Sequence, residues 1–336
     1  MYNRDEGGCM KKTFGFKHVD VYYHQYYLNG QWEKPVLSTK STLDIEMSAT
    51  SIHYGQQAFE GMKAYQTKDG HIQLFRPFEN AKRFRQSCRF MMMPELSDEH
   101  FIKAVKDTVL ANVEHMPPYD YHQALYIRPF MIGVGHNIGL RPSPSYYFGV
   151  LVIPVGEYLE SEKAYPFLIS DRDRVAPKGS GPYKVGGNYG AVMRVQYEAK
   201  QQGYQDILFL DPLTHTKIDE GAGSNFFAIK GNTYVTPKSD SILKSITNDS
   251  IKSIAKDLGM NVIESDILLD ELHHYDEAGA CGTAAIVSPI GSLTYQDHKV
   301  TFGETIGSKT KILRETLLAI QFGDVKDTRD WIYVIK

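Results

Sequence analysis

The sequence predicts a mixed α and β protein of two domains: a smaller α+β domain over 1–155 and a larger α/β domain over 164–336, joined by a linker at 156–163. Three observations carry this reading. The 336 residues exceed the ~100–200 usual for one domain. The first half sets aromatic strands ahead of two amphipathic helices, whereas strands and helices alternate in the second. Between them lies the short polar stretch Gly156-Glu157-Tyr158-Leu159-Glu160-Ser161-Glu162-Lys163.

Taken in order, the first half opens with aromatic strand residues over 19–28, closed by a turn at Asn29-Gly30. A hairpin follows, from Met62-Lys63-Ala64-Tyr65 through Lys68-Asp69-Gly70 into Ile72-Gln73-Leu74-Phe75. Ala81, Phe84, Cys88 and Met91 keep near-helical spacing, as do Phe101, Val105, Val109 and Val113, with Ser97 or Asp98 as cap. Strands over 124–132 and 146–155 close this half. In the second half a strand over 167–170 leads into a glycine-rich loop over 179–190. A helix from about 189 to 201 and a strand over 207–210 come next. A strand pair over 225–229 and 233–236 follows. Two helices end it, one carrying Ile251, Ile254, Ala255 and Leu258 and stopped by Gly259, the other carrying Ile312, Leu313, Leu317 and Ile320 and stopped by Gly323.

Composition excludes several classes. Hydrophobic residues make up 42% and charged residues 23%, ordinary for a globular chain. A formal net charge of -3 supplies no basic field for nucleic acid or an anionic membrane. Cys9, Cys88 and Cys281 form no CxxC, and their odd number argues against a disulfide framework. No apolar run approaches the ~20 residues of a membrane span. The N-terminus, Met1-Tyr2-Asn3-Arg4-Asp5-Glu6, lacks the apolar core of a signal peptide. The expected compartment is a reducing cytoplasm. The pair His273-His274 has no second ligand pair at metal spacing. The run Lys82, Arg83, Arg85 and Arg89 reads as the solvated side of an amphipathic helix.

The chemistry concentrates in three places. Gly179-Ser180-Gly181-Pro182-Tyr183-Lys184-Val185-Gly186-Gly187-Asn188-Tyr189-Gly190 embeds one Lys among glycines. It matches neither a Walker A loop nor GxGxxG. Two readings stand: a flexible strand-to-helix connection with a solvated Lys184, or an amine held where a carbonyl cofactor sits and can condense with it. Ile218-Asp219-Glu220-Gly221-Ala222-Gly223-Ser224-Asn225 is either a polar loop entering a hairpin or a carboxylate aimed at a pyridinium nitrogen, which makes such a ring an electron sink. Arg76, Ile246-Thr247 at a helix start, and Thr283 offer bidentate charge, N–H groups and a hydroxyl to a phosphate, yet singly each reads as ordinary surface or capping chemistry.

Together the motifs are distinctive. Gln57-Ala58-Phe59-Glu60-Gly61-Met62-Lys63-Ala64-Tyr65, Leu74-Phe75-Arg76-Pro77, Tyr126-Ile127-Arg128-Pro129, Tyr183-Lys184-Val185-Gly186-Gly187-Asn188-Tyr189, the stretch 220–225 and Gly282-Thr283-Ala284 occur in one order. The chain resembles the branched-chain amino acid aminotransferases, pyridoxal-phosphate enzymes of fold type IV, over about 14–320. The resemblance implies a barrel-like mixed sheet in the larger domain and a homodimer. It implies an aldimine between Lys184 and pyridoxal 5'-phosphate, Glu220 at the pyridine nitrogen and Tyr189 at the 3′-oxygen. Arg76, Ile246, Thr247 and Thr283 form the implied phosphate cup. Thr283 and Ala284 present N–H groups to the substrate α-carboxylate. Phe14, Phe59, Tyr126 and Tyr158 form the implied side-chain pocket, completed by Tyr54 reaching across from the partner subunit. Arg128 matches the residue that meets the distal carboxylate of glutamate.

The implied reaction exchanges the amino group of L-leucine, L-isoleucine or L-valine with 2-oxoglutarate. An aromatic wall suits branched aliphatic groups, and a single rim cation suits a second carboxylate. This sequence departs from the pattern at Asn248, where many relatives carry Lys or Arg, and at Ala285 and Ser288, where animal enzymes carry a redox CxxC. Three competing readings are a fold-type-IV relative acting on D-amino acids or aminodeoxychorismate, a non-catalytic metabolite-binding protein, and a nucleotide-binding module.

Overall fold

The structure, a computed structural model, describes residues 17–156 and 162–336. Two sheets organise it. The first is antiparallel throughout and runs in the order Ile332–Val334, Ile72–Phe75, Met62–Gln66, Ala124–Gly133, Tyr146–Val155, Tyr22–Leu28, Gln31–Trp32, with Gln57–Phe59 also paired to Ala124–Gly133. The first hairpin turns through Asn29 (φ 51°) and Gly30 (φ 79°), the backbone that matches the right-handed twist of paired strands. Helices Pro77–Phe90 and Asp98–Ala111 cover this sheet. Their apolar stripes, Ala81, Phe84 and Cys88 on one and Phe101, Val105 and Val109 on the other, share one buried cluster with Leu74, Leu125, Ile127, Phe148 and Val150. Ser97 caps the second helix by accepting from the His100 N–H at 3.2 Å.

The second sheet is mixed. Its strands run Ile218–Gly221, Asp206–Leu210, Tyr165–Ser170, Ile286–Tyr295, Glu277–Gly282, Asn225–Lys230, and the last pairs back to the first through Glu220 and Asn225. The six strands therefore close into a barrel, as the resemblance implied. Tyr165–Ser170 is parallel to both its neighbours, and the other junctions of the ring are antiparallel. Residues two apart, Phe167 and Ile169, Leu208 and Leu210, Phe226 and Ala228, Ala278 and Ala280, fall in one buried cluster, the period expected of inward positions in a small barrel. The intervening Ile207 and Phe209 pack instead under Val195 and Ala199 of helix Met193–Gln201. Helices Ile246–Asp257 and Ser308–Phe322 cover another side, each followed by a left-handed glycine, Gly259 and Gly323.

Two expectations change. The helix expected to be continuous from about 189 is broken, with Gly187–Gly190 separate from Met193–Gln201. The second half also holds more strands than its residue pattern suggests: Glu277–Gly282 and Ile286–Tyr295 are two staves of the barrel. Ala278, Gly279, Ala280 and Gly282 carry almost no intrinsic strand preference. Their size is fixed by packing, since a Cβ on Gly279 would lie 2.2 Å from the Phe227 ring.

Candidate active site

The glycine-rich loop crosses from the barrel to the first sheet. The Phe59 N–H donates to the Lys184 carbonyl at 3.0 Å, and Ala58 bridges Val185. Gly186 has φ −61°, so its need is closeness: a Cβ there would lie 2.0 Å from Gln57 Nε2. Asn188 Nδ2 ties the loop to itself through the carbonyls of Ser180 (2.8 Å) and Tyr183 (2.9 Å). The connection is thus held and not a flexible loop, and Lys184 is half-buried. Lys184 Nζ donates to the Tyr189 hydroxyl at 2.9 Å and lies 4.9 Å from the Phe59 ring centre.

A cavity of about 480 Å³ opens on this pair. Phe59, Tyr126, Arg128 and Phe130, from the paired strands Gln57–Phe59 and Ala124–Gly133, line one wall. The Arg128 guanidinium lies 4.7 Å from the Phe59 ring centre and donates from Nη2 to the Tyr126 hydroxyl at 2.8 Å. Its Nε is buried with no partner among the described residues. Opposite stand Gly282, Thr283 and Ala284, with the Thr283 hydroxyl donating to the Gly61 carbonyl at 3.0 Å.

Two buried carboxylates flank the cavity. Glu220, at the closure of the barrel, is buried: Oε1 meets Arg174 Nη2 at 2.6 Å and the Leu243 N–H at 3.0 Å, while among the described residues Oε2 accepts only from Asn225 Nδ2 at 3.3 Å. Burial pushes its pKa up to about 7, and the Arg174 charge opposes this without cancelling it. Glu60 is also fully buried. Burial disfavours its charge, but the Arg83 guanidinium at 2.7 Å more than offsets that and holds the carboxyl below its usual range.

The anion-binding end differs from the sequence expectation. Ser245 caps helix Ile246–Asp257 by accepting from the Asn248 N–H at 3.1 Å. Ser245 and Ile246 line the cavity, and Thr247 is buried beside them. Arg76 does not belong to this lining: it is the residue before helix Pro77–Phe90, with φ 49°. Its guanidinium goes to Asp249 (2.8 Å) and Ser250 (2.8 Å) and lies over Trp331. Besides Arg128 in the aromatic wall, the arginine that lines the cavity together with Ser245 and Ile246 is Arg83. Arg83 is therefore not part of a solvated basic face, although Arg89, paired with Glu95, is exposed. Glu60, Arg83 and Arg174 are the site residues that the sequence reading missed. A polar stripe on an amphipathic helix was the available sign for Arg83. Arg174 carried none.

Other expected residues stand apart. Tyr54 is 42% exposed and donates to the Ile138 carbonyl, outside this cavity. Phe14 and Tyr158 lie outside the described residues. Asn248 is turned into the fold, accepting from Tyr234 at 2.7 Å and donating to Thr236 at 2.9 Å. His273 and His274 sit with ring centres 4.0 Å apart, and no cluster of three metal-ligating side chains occurs among the described residues.

An amine beside a phenol, a buried carboxylate with one uncrowded oxygen, and a helix N-terminus beside a guanidinium thus frame one cavity with an aromatic wall. The profile of the family described as "Amino-transferase class IV" matches residues 57–293. A curated "Branched-chain-amino-acid aminotransferase" of Haemophilus influenzae is 44% identical, covering 96% of this chain and 98% of that protein. The crystal structure of the Escherichia coli branched-chain amino acid aminotransferase superposes with a TM-score of 0.81 at 27% identity, over 95% of this chain and 100% of the other. That of the T.th. branched-chain amino acid aminotransferase, with pyridoxamine 5'-phosphate, gives 0.80 at 27% identity over 95% and 99%.

Proposed function

Because the chain belongs to the class IV aminotransferases and, within them, to the branched-chain-amino-acid aminotransferases, we propose that it uses pyridoxal 5'-phosphate to exchange amino groups between L-leucine, L-isoleucine or L-valine and 2-oxoglutarate. The observation that carries this is the Lys184 amine, 2.9 Å from the Tyr189 hydroxyl, inside a cavity that runs from an aromatic wall to a helix N-terminus. The donor set fits the cofactor. A primary amine suits its aldehyde, a phenol its 3′-oxygen, and the uncrowded Oε2 of Glu220 its ring nitrogen. The N-terminus of helix Ile246–Asp257 and Arg83 suit its phosphate.

When bound, the cofactor supplies an electron sink for the carbon next to the substrate nitrogen. The protein supplies the rest. Lys184 would hold the cofactor at its aldehyde carbon, and its Nζ would be the group that moves a proton at the substrate α-carbon. Glu220 holds a proton on the ring nitrogen, and Tyr189 steadies the 3′-oxygen. Arg83, in place of Arg76, joins Ile246, Thr247 and Thr283 around the phosphate. The N–H groups of Thr283 and Ala284 receive the α-carboxylate.

Phe59 and Tyr126 exclude water around an aliphatic side chain, and Arg128, with its buried unpaired Nε, meets the second carboxylate of glutamate. On the family pattern, Phe14 and Tyr158 complete the pocket. So does Tyr54 across a homodimer, a placement that its exposure outside the cavity supports. The enzyme works in the cytoplasm; among the described residues no helix is long and apolar enough to cross a membrane. The proposed domains span 1–155 and 164–336, with strand Ile332–Val334 of the second range returning to pair with Ile72–Phe75 in the first sheet.

A panel of amino donors against 2-oxoglutarate tests the proposal. Turnover should be highest with the three branched L-amino acids and absent with D-alanine, and replacing Lys184 by Ala should abolish it. Full activity of the Lys184→Ala protein would remove the lysine from the reaction.

A further inference from the structure

Deepening the reading above and resting on it, we propose that one face of helix Pro77–Phe90, together with Glu60, is a positioning device that holds the anion-binding guanidinium of Arg83 in register with the segment bearing the Lys184 amine. Asn80, Arg83, Ser87 and Phe90 recur at intervals of three, four and three residues, which places them in one stripe along the helix. The apolar stripe of the same helix, Ala81, Phe84 and Cys88, is committed to the sheet. The second stripe is engaged by Glu60, the lysine segment and Tyr183, and of its members Arg83 lines the cavity while Phe90 is 42% exposed.

Each member is engaged. Glu60, 0% exposed, accepts from Arg83 Nε at 2.7 Å and Nη2 at 2.9 Å, from Asn80 Nδ2 at 2.7 Å and from the Gly61 N–H at 3.1 Å. That occupies both carboxylate oxygens, so Glu60 acts through Arg83. Arg83 Nη1 donates to the Lys244 carbonyl at 3.0 Å, just ahead of helix Ile246–Asp257. The guanidinium is thereby pinned on the sides away from the cavity it lines. A planar fork held this way meets an anion with its orientation already set.

One turn further on, the Ser87 hydroxyl, fully buried, donates to the Arg83 carbonyl at 3.1 Å and accepts the Lys184 N–H at 2.9 Å. The Phe90 ring stacks on Tyr183 at 4.0 Å and 12°. A continuous chain of contacts thus runs from carboxylate to guanidinium to helix backbone to the lysine segment. Because a helix rises ~1.5 Å per residue, the turn from Arg83 to Ser87 sets the spacing between the guanidinium and the lysine segment.

The test compares pyridoxal phosphate with pyridoxal, which lacks the anion, by equilibrium titration of the full-length apoprotein. The unaltered protein should prefer the phosphorylated form. Glu60→Gln should weaken pyridoxal phosphate about tenfold or more, the scale of a lost charge-assisted contact, and leave pyridoxal unchanged. Ser87→Ala should weaken both alike, because it loosens the amine end. Should Glu60→Gln fail to fold by circular dichroism, Arg83→Lys, which keeps the charge and loses the fork, should show the same selective loss. Equal weakening of both compounds by Glu60→Gln, or no weakening, overturns the proposal and leaves the function reading intact. An unaltered protein that binds neither compound takes down both.

Discussion

Glu60 and Glu220 lie behind two regions of one cavity, both buried and both paired with an arginine, yet their pKa values move in opposite directions. Glu60 meets its guanidinium through both oxygens and gains Asn80 and a backbone N–H besides. Its ionised form is favoured. Glu220 meets Arg174 through one oxygen and is left with a single long contact on the other, so burial prevails. The lesson is that bond count, more than the presence of an opposite charge, decides whether a buried carboxylate is a fixed anchor or a group free to respond to a proton. The anchor sits where an arginine must be held still. On the proposed function, the responsive group sits where a ring nitrogen would keep its proton.

The comparison can be broken from the arginine side. Arg174→Ala should destabilise the protein by about 3–5 kcal/mol at neutral pH, because it strips the paired charge from a buried carboxylate; chemical denaturation at pH 7.5 measures this, and the loss should shrink at pH 5, where Glu220 is neutral. Next in size, Glu220→Gln should lower kcat by roughly 10²–10³-fold, the scale of removing one preorganised electrostatic partner, with little change in the pyridoxal affinity of the apoprotein.

A pH series sharpens the contrast. Glu220 has a raised folded-state pKa, so the apoprotein loses stability from this group as pH rises from about 4.5 to about 7, on the order of 3 kcal/mol in all. Glu60 works in the other sense: its contribution is present above its ordinary value of 4.5 and lost as pH falls below it. The melting temperature of unaltered apoprotein minus that of Glu220→Gln should therefore fall across pH 4.5–7 and be flat above. The smallest effect is that of Asn80→Ala, which removes one contact from a well-held carboxylate and should cost about 1–2 kcal/mol.

Much of this site was legible from residue order, and what was not has a physical reason. Lys184, Tyr189 and Glu220 were reached through the resemblance, because the glycine-rich and small-residue loops by themselves left an ordinary reading open. The strands that carry Phe59, Tyr126 and Arg128 show alternation or continuous apolar runs. Arg83 was hidden because an amphipathic pattern separates apolar from polar but does not say whether the polar side meets water or a cavity. Arg76, the neighbouring Phe-Arg-Pro arginine, took its place in the reading. Only the fold shows that it precedes the helix and turns to Asp249. The barrel closure was equally unreadable: Glu220 and Asn225 are joined by one register pair, and the Ala- and Gly-rich stave Glu277–Gly282 is chosen by the Phe227 ring against it and not by strand propensity.

The strand Ile332–Val334 has a consequence for how the chain acquires its shape. It completes the margin of the first sheet beside Ile72–Phe75, yet the whole barrel lies between them in sequence. During synthesis the early sheet must therefore wait with that margin bare while roughly 250 residues emerge, the long-range closure that slows folding and invites pairing with neighbouring chains. Trp331, set edge-on to Phe75 and under Arg76, is the aromatic peg of that last step. Trimming the chain just ahead of it should leave the barrel standing and turn the exposed margin into a site of self-association.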